Sequence, residues 1–555
     1  MVEGKPKLQR TGTQRSHGGC FTCRNRRVKC DEEKPQCRRC TGSGRVCGYP
    51  NNLKRRHGGA TSLLLPKAGS TTENRLLMKG PSVLLMSETE VENRYFRHFY
   101  AKATSGIEGA LDWALWKRIV PQTSHNEQFV RHCIVAIGAL LKSQEVALPT
   151  GSTNSRDPKM VPIAKLHFDF ALIKYGKAVK DMQNTIASST NNPREVLIGC
   201  LLVVCFELFL GERHTAMAHA ESGTLILHQW LTRVQKERAK DLKILSPSPA
   251  IIEDEIVDAF QNLDIQIAGV SDRRSDKIHR VMMDEHLGSV QHIPPIFSDL
   301  REARLFLNIV NRRICHFLAT TWSPSEAEAL ARDFEGPTPG DISVMTGQKK
   351  FAREISDWFQ TFDPLFKSTC ESNPIGSRPH NLAIRLRIHA IATTILCAGV
   401  LITNEIEYDA FNPQFRELLS LIKVIVTPHR NSPYLNINVL YSGFHLDLGV
   451  TPHLFLITMR CRDRDIRREA INILGEWHTE GCWDPMLIKE IGIFMMEVEE
   501  EGVDWDVHGI IPENKRAIFT RINENPWEKK GILQCVQKTG GEDGGPVWKE
   551  KSISW

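Results

Sequence analysis

The chain has 555 residues, 41% of them apolar, and a formal net charge of +6. That length leaves room for more than one domain, and the apolar share is enough for a large core. Met1–Arg10 is polar and charged with no apolar run, which argues against a secretory signal; the most apolar stretch, Leu197–Leu210, has fourteen residues, carries Glu207 and is too short to cross a bilayer, so a soluble protein is expected.

The first informative feature in chain order is a run of six cysteines, Cys20, Cys23, Cys30, Cys37, Cys40 and Cys47. It is the unit C-x2-C-x6-C written twice. A C-x2-C step sets two thiols on one side of a tight turn, as tetrahedral zinc requires. On a helix, seven positions turn through about 700°, which would return Cys23 and Cys30, and likewise Cys40 and Cys47, to one face. Each structural zinc takes about four ligands. One ion leaves two thiols idle, whereas two ions need eight metal–sulfur bonds. Six thiolates supply eight bonds when two of them bridge, and the repeat symmetry points to the first cysteine of each copy, Cys20 and Cys37.

Two zinc dications on six thiolates carry a formal −2, which nearby cations must outweigh before nucleic acid is approached. Residues 1–57 hold fifteen Lys and Arg against four Asp and Glu, or +11, leaving −5 for the rest of the chain. Basic charge concentrated around a metal module is the electrostatic footprint of nucleic-acid binding. The two copies differ. Arg24, Arg26, Arg27 and Lys29 stand between Cys23 and Cys30, while Cys40 and Cys47 enclose Arg45 with Gly42 and Gly44, which weaken a helix. The first arm is therefore expected to face DNA and the second to support it.

The segment C-F-T-C-R-N-R-R-V-K-C-D-E-E-K-P-Q-C-R-R-C-T-G-S-G-R-V-C resembles the fungal binuclear zinc cluster transcription factors over roughly residues 18–50. The resemblance implies two zinc ions held by the six cysteines, with the first and fourth bridging. It implies that the first helix enters the major groove end-on. Arg26 and Arg27 then read base edges, typically in short G/C-rich triplets, Arg24 and Lys29 touch phosphates, and Pro35 sits in a tight turn between the arms. It also implies a nuclear, sequence-specific regulator of genes transcribed by RNA polymerase II, acting on double-stranded DNA and on transcription machinery or coregulators. The physics agrees, since arginine forks onto the two major-groove acceptors of guanine and discriminates by roughly 1–3 kcal/mol. A disulfide framework is the competing reading; it fits poorly with the absent signal and nine further scattered cysteines, a usage suited to a reducing compartment. A RING-type module needs different spacing, and His17 and His57 fall outside the repeat.

Residues 51–90 are rich in Gly, Ser, Thr and Pro and read as a linker, with 58–87 as its flexible part. A tether of that length spans about 35 Å root-mean-square. Lys54-Arg55-Arg56-His57 at its start is a candidate nuclear import signal or a continuation of the DNA-binding surface. Three or more heptads are absent there. The leucines come in clumps broken by Gly and Pro, so the expected symmetric coiled-coil dimer is in doubt and the oligomeric state stays open.

From residue 88 onward the apolar spacing is helical. Glu90–Ala101, Phe129–Leu141, Pro162–Ile186, Arg194–Gly211, His214–Leu231 and Ala383–Asn404 all carry it. Leu197–Leu210 is expected to be a buried core helix. The body is expected to be a stack of helix pairs, with a solenoid-like arrangement left open because no clean repeat period is visible. The segments around Trp113–Gln122 and Cys200–Gly223 resemble the helical regulatory region found behind such clusters. At the far end, Ile532–Lys538 and Val547–Trp555 flank a Gly-rich turn and predict a β-hairpin. Glu497–Asp506 (E-V-E-E-E-G-V-D-W-D) is either an acidic activation segment presenting Trp505 or, the favoured reading, the acidic end of a solvated helix.

No phosphate-binding loop, dinucleotide fingerprint, zinc-protease or nucleophile-elbow motif occurs. His214 and His219, beside Glu212 and Glu221, are the nearest approach to a second metal site, but five residues do not bring them to one helical face. The fold class expected is thus mostly α: a zinc-cluster module (1–57), a linker (58–87) and a helical regulatory body (88–555) ending in a short hairpin. The expected function is zinc-dependent, sequence-specific transcriptional control of a metabolic or biosynthetic gene set, with no enzyme activity and no membrane. The alternative is a zinc-stabilised scaffold that binds protein or RNA without base readout.

Overall fold

The computed structural model describes residues 19–26, 28–47, 89–103, 114–147, 160–187, 192–237, 245–270, 272–285, 287–321, 342–430, 449–503, 505, 510–525, 528–537 and 546–555. The chain divides into two compact units, Met1–Met78 and Lys79–Trp555. The linker 58–87, the run Lys54-Arg55-Arg56-His57 and the Gly-rich turn 538–545 lie outside the described residues.

The N-terminal unit holds two short helices, α1 (Phe21–Asn25) and α2 (Arg38–Thr41), each opening on a cysteine. The other unit is helical from α3 (Glu90–His98), which Thr89 caps by accepting the Glu92 N–H at 3.3 Å. Residues Phe99–Ala103 continue as a π-helical turn, and a second such turn, Leu115–Ile119, leads into α4 (Val120–Asn126). Next come α5 (Gln128–Ala147), α6 (Met160–Ala187), α7 (Pro193–Leu210), α8 (Arg213–Glu237) and α9 (Asp254–Val270). These form the first apolar cluster, with members from Phe96 to Ile267 plus Cys482. Every expected helix is present. α5 and α6 lie along one another, and the buried residues of α6 are Ala164, Ala171 and Ala178, one every seven, a small-residue stripe that permits close approach. α3 crosses α5 at Gly138, where a Cβ would stand 2.1 Å from the Tyr95 carbonyl oxygen, so no larger residue fits. α7 is apolar all round and buried, as its run of Leu, Val and Phe requires. Past the first turn its one acid, Glu207, accepts from the Tyr175 hydroxyl at 2.6 Å and pairs with His219 Nδ1 at 2.8 Å. Gly211, at φ 93°, ends it in the left-handed region.

The next elements are α10 (Asp276–Asp284), α11 (Leu287–Val290), α12 (Leu300–Thr321), α13 (Ile342–Ser372) and α14 (Arg378–Gly399). A second cluster joins α12, α13 and α14. A 3-10 turn (Glu405–Phe411), α15 (Asn412–Arg430), α16 (Thr451–Arg460), α17 (Arg464–Glu476) and α18 (Pro485–Glu500) follow. The third cluster draws on these and again on α14. Leu382, Ala383, Leu386 and Ala390 of α14 face the second cluster, and Ile384, Ile388, Ile391 and Ile395 face the third. Of the three cores, the second and third thus share α14. α14 is also long and apolar enough to cross a membrane by composition, which a reading limited to Leu197–Leu210 overlooked. Two-thirds of that window (67%) is buried inside the body, the mark of a core helix.

The expected hairpin exists as β2 (Lys530–Gln537) and β3 (Val547–Ser554), paired from Lys530↔Ser554 to Gln537↔Val547. A third strand, β1 (Ala517–Asn525), adds to it in the order β1-β2-β3. The sequence reading missed β1 because its outer half, Arg521 to Asn525, is polar and alternately exposed. Leu533, Cys535 and Ile553 turn one sheet face into the third cluster. The acidic stretch is the end of α18, where Glu497 pairs with Lys551 (2.6 Å), Glu500 with Arg468 (2.5 Å) and Glu501 with Lys549 (3.1 Å).

Glu499 ties helices to sheet. It is fully buried, pairs with Arg462 (2.8 Å) and Arg467 (2.7 Å), and accepts the Ala517 N–H that opens β1 at 2.8 Å. Burial alone would raise this carboxyl, but the two guanidiniums outweigh it and hold it at about 2, below the ordinary 4.5. A depressed acid stabilises the fold above its unfolded value. The contribution, roughly 3 kcal/mol, is complete above about pH 4.5 and is lost as pH falls toward 2. Glu499→Ala, which leaves the buried Arg467 guanidinium without its carboxylate and Arg462 with Glu405 alone, is expected to cost about 3–5 kcal/mol at pH 7. Urea denaturation at pH 7 and pH 3 checks this: the gap between wild type and variant should narrow at pH 3.

Candidate metal centre and nucleic-acid interface

The two cysteine repeats fold alike. Cys20 and Cys37 each occupy the N-cap of a short helix in extended backbone, and each sulfur accepts the N–H three residues on, from Cys23 and Cys40, at 3.4 Å. The backbone N–H of Cys20 in turn points at Cys30 Sγ (3.5 Å), and that of Cys37 at Cys47 Sγ (3.3 Å). Cys30 Sγ also receives the Glu32 N–H at 3.4 Å. Amide donors aimed at sulfur favour thiolate over thiol and orient it for a cation.

The sulfurs converge. Cys20–Cys37 and Cys20–Cys40 are 3.7 Å apart, Cys23–Cys37 3.6 Å and Cys23–Cys40 3.8 Å. Zinc–sulfur bonds of about 2.3 Å in a tetrahedron put ligand sulfurs about 3.8 Å apart. Two four-sulfur groups have all their sulfurs within 4.8 Å of one another: Cys20, Cys23, Cys30, Cys37 and Cys20, Cys37, Cys40, Cys47. They share Cys20 and Cys37. The donor set therefore fits two tetrahedral ions, and metal there supplies rigidity rather than reactivity. Burial pushes the Cys23, Cys37 and Cys40 thiols up. Burial acts on Cys20 too, but the Cys23 amide and the sulfurs of Cys47, Cys23 and Cys40 bring it down to about 6.

The arms are not continuous helices. Seven residues of helix rise about 10 Å, too far for two ligands of one tetrahedron. α1 accordingly stops at Asn25, the Val28 N–H turns back to the Cys23 carbonyl at 3.2 Å, and Cys30 returns to the cluster along non-helical chain. α2 ends at Thr41 in the same way, and Gly44 takes φ 62° before Cys47. The Lys34–Pro35 peptide between the arms is cis. Arg24 lies on α1, Arg26 caps it, and Lys29 follows on the extended return; all three are exposed, while Arg27 lies outside the described residues. Arg26 Nη1 donates to Ser43 Oγ (3.1 Å) and Thr22 Oγ1 to the Val46 carbonyl (2.8 Å), which lace the two arms together. Arg38 is held by Glu33 at 2.7 Å. The amide-to-sulfur bonds and the Ser43 and Thr22 contacts were not foreseen, since they depend on loop paths that spacing does not encode.

His214 and His219 are not brought together. His214 Nε2 pairs with Glu524 at 3.4 Å and His219 with Glu207. A different trio, Asp272, His279 and His316, does converge. There the Arg274 Nε and Nη2 hold Asp272 at 2.9 and 2.5 Å, His279 Nδ1 meets His316 Nδ1 at 3.1 Å, and His316 Nε2 meets Asp264 at 3.0 Å, a network satisfied from within.

Comparison with known proteins finds two families. Residues 18–56 match the fungal Zn(2)-Cys(6) binuclear cluster domain, and residues 94–250 match the fungal specific transcription factor domain. The aspercryptin biosynthesis cluster-specific transcription regulator atnN of Emericella nidulans is 24% identical, over 95% of each chain. The transcription regulator lscL of Purpureocillium lilacinum is 25% identical over 40% of this chain and 51% of its own. The Zn(2)-C6 fungal-type transcription factor afumD of Aspergillus fumigatus is 32% identical over 26% of this chain and 38% of its own. No solved structure matches.

Purified full-length chain is expected to contain two zinc ions by elemental analysis. Chelation should release both and unfold the module, because metal binding is its folding free energy, while the far-UV helical signal of the body persists.

Proposed function

We propose that this chain, with a fungal Zn(2)-Cys(6) cluster ahead of a fungal-specific transcription factor domain, is a fungal binuclear zinc cluster transcription factor that binds DNA sequence-specifically in the nucleus and controls a biosynthetic gene set. The observation that carries the reading is the pair of sulfur groups sharing Cys20 and Cys37. In this reading Cys20 and Cys37 bridge, Cys23 and Cys30 complete one zinc site, and Cys40 and Cys47 complete the other. Residues 1–57 are the DNA-binding module, 58–87 the tether and 88–555 the regulatory body. The kinship with a regulator of aspercryptin biosynthesis supports a biosynthetic gene cluster as the target and disfavours a scaffold without base readout.

Arg26 and Arg27 read base edges, most simply guanines of a short G/C-rich triplet, because the guanidinium fork matches the two acceptors of guanine. Arg24 and Lys29 hold phosphates and set register without carrying sequence information. Arg26 gives up its Ser43 contact when it turns to a base. With the DNA-facing arm occupied by the duplex, coregulators meet the body rather than the module.

Cys20→Ser is expected to lose both zinc ions and Cys47→Ser about one, read by elemental analysis of the full chain; equal stoichiometry in the two variants would refute the bridging assignment. Arg27→Ala should relax preference at one base pair by roughly 1–3 kcal/mol. Lys29→Ala should weaken all duplexes alike and lower the salt slope by about one. Selection of duplexes from a random pool, followed by titration at several salt concentrations, separates these outcomes, and the half-site count it returns gives the oligomeric state.

A further inference from the structure

The helical body holds a cavity of about 550 Å³ that opens in part to solvent. Its walls come from α9, α12 and α14 on one side and from α16, the 3-10 turn and the start of β1 on the other. The volume falls within the roughly 300–1,000 Å³ typical of small-molecule sites. Ile265, Leu318, Ala392, Leu396, Phe455 and Phe519 give it a largely apolar surface.

Three of the four charged groups on the wall, Asp272, Arg274 and Arg460, already have partners. Arg274 is engaged by Asp264 and by Asp272 at 2.5 Å, and Arg460 by Glu405. Asp276 is exposed to solvent. The wall's two guanidiniums and two carboxylates cancel formally. Burial pushes the Cys315 thiol up to about 12 and the His453 imidazole down to about 4, so both are neutral near pH 7. An ionised guest would find no buried uncommitted counter-charge, since Asp276, the one charged group outside these pairs, faces solvent, and the guest's desolvation would go uncompensated.

Besides Trp483 Nε1, which is buried without a hydrogen-bond partner among the described residues, the wall presents a second N–H donor. Asn311 is buried, and its Oδ1 accepts the Thr393 hydroxyl at 2.8 Å. That contact fixes the carboxamide, and its NH2 has no hydrogen-bond partner among the described residues. An acceptor placed in the cavity gives that NH2 a hydrogen-bond partner, worth about 0.5–1.5 kcal/mol. We infer that this cavity binds a neutral, largely apolar small molecule whose carbonyl or hydroxyl oxygen accepts from Asn311. The site lies wholly within the body and does not depend on how the zinc module reads DNA.

The test is titration of the zinc-loaded full chain with Nile red, a neutral carbonyl-bearing dye, and with the anionic dye 1-anilinonaphthalene-8-sulfonate. Nile red should bind at one saturable site, at least tenfold tighter than the anionic dye. Ala319→Trp, which places an indole in the cavity, should abolish that site with unchanged circular dichroism. Asn311→Leu should weaken it roughly three- to tenfold, the worth of one hydrogen bond. Should Ala319→Trp lose helicity, Leu396→Trp decides, since that side chain is already 42% exposed. No saturable Nile red site in the wild type, or full binding retained by a folded cavity-filling variant, overturns the inference. Equal affinity for the two dyes overturns its neutrality, and an unchanged Asn311→Leu overturns the assigned donor.

Discussion

The module depends on a shortage of ligands. Two four-coordinate zinc ions and six sulfurs are compatible when two sulfurs serve both ions, and the structure brings two four-sulfur groups together around Cys20 and Cys37. Sharing draws the repeats face to face, so the pseudo-symmetric hydrogen bonds onto Cys20 and Cys37, and from their amides onto Cys30 and Cys47, follow from it. It also limits helix length. Each arm affords about one helical turn before its third cysteine must come back, and the exposed arginines are displayed on that short, metal-pinned turn. A five-residue helix has no standing of its own in water.

The second unit obeys a different constraint. With two of its three apolar clusters sharing α14, some of its polar groups lie inside and must be answered there. Glu499 with Arg462 and Arg467, Asp264 with Arg274 and Arg312, and Glu354 with Arg313 are all ion pairs between distant segments. Such pairs add little net stability over an apolar replacement, but each is intolerant of losing one member. They fix which helix lies against which, where apolar contacts alone would permit slippage.

Legibility in the sequence followed locality. Helices α3, α5, α6, α7, α8 and α14 were visible because an apolar period of 3.6 is a local property. The zinc ligands were visible because cysteine spacing and ligand count are arithmetic. The non-helical route from Asn25 to Cys30 was not, because periodicity ignores the rise along the axis. Strand β1 was hidden by its polar outer half, which is held by pairing with β2 rather than by burial. The cavity wall was beyond reach as well: Ile265, Asn311, Thr393 and Phe519 are separated by tens to hundreds of residues, and none carries a motif.

Helix α14 has a final consequence. Because it supplies one row of side chains to the second cluster and another to the third, few of its turns have a water-facing side on which replacement is harmless. Neutral drift is therefore narrow along this segment, in contrast to α6, where Leu166 and Ile173 stand about 70% exposed. The same sharing makes the two clusters melt together: neither can come apart while α14 keeps its place in the other.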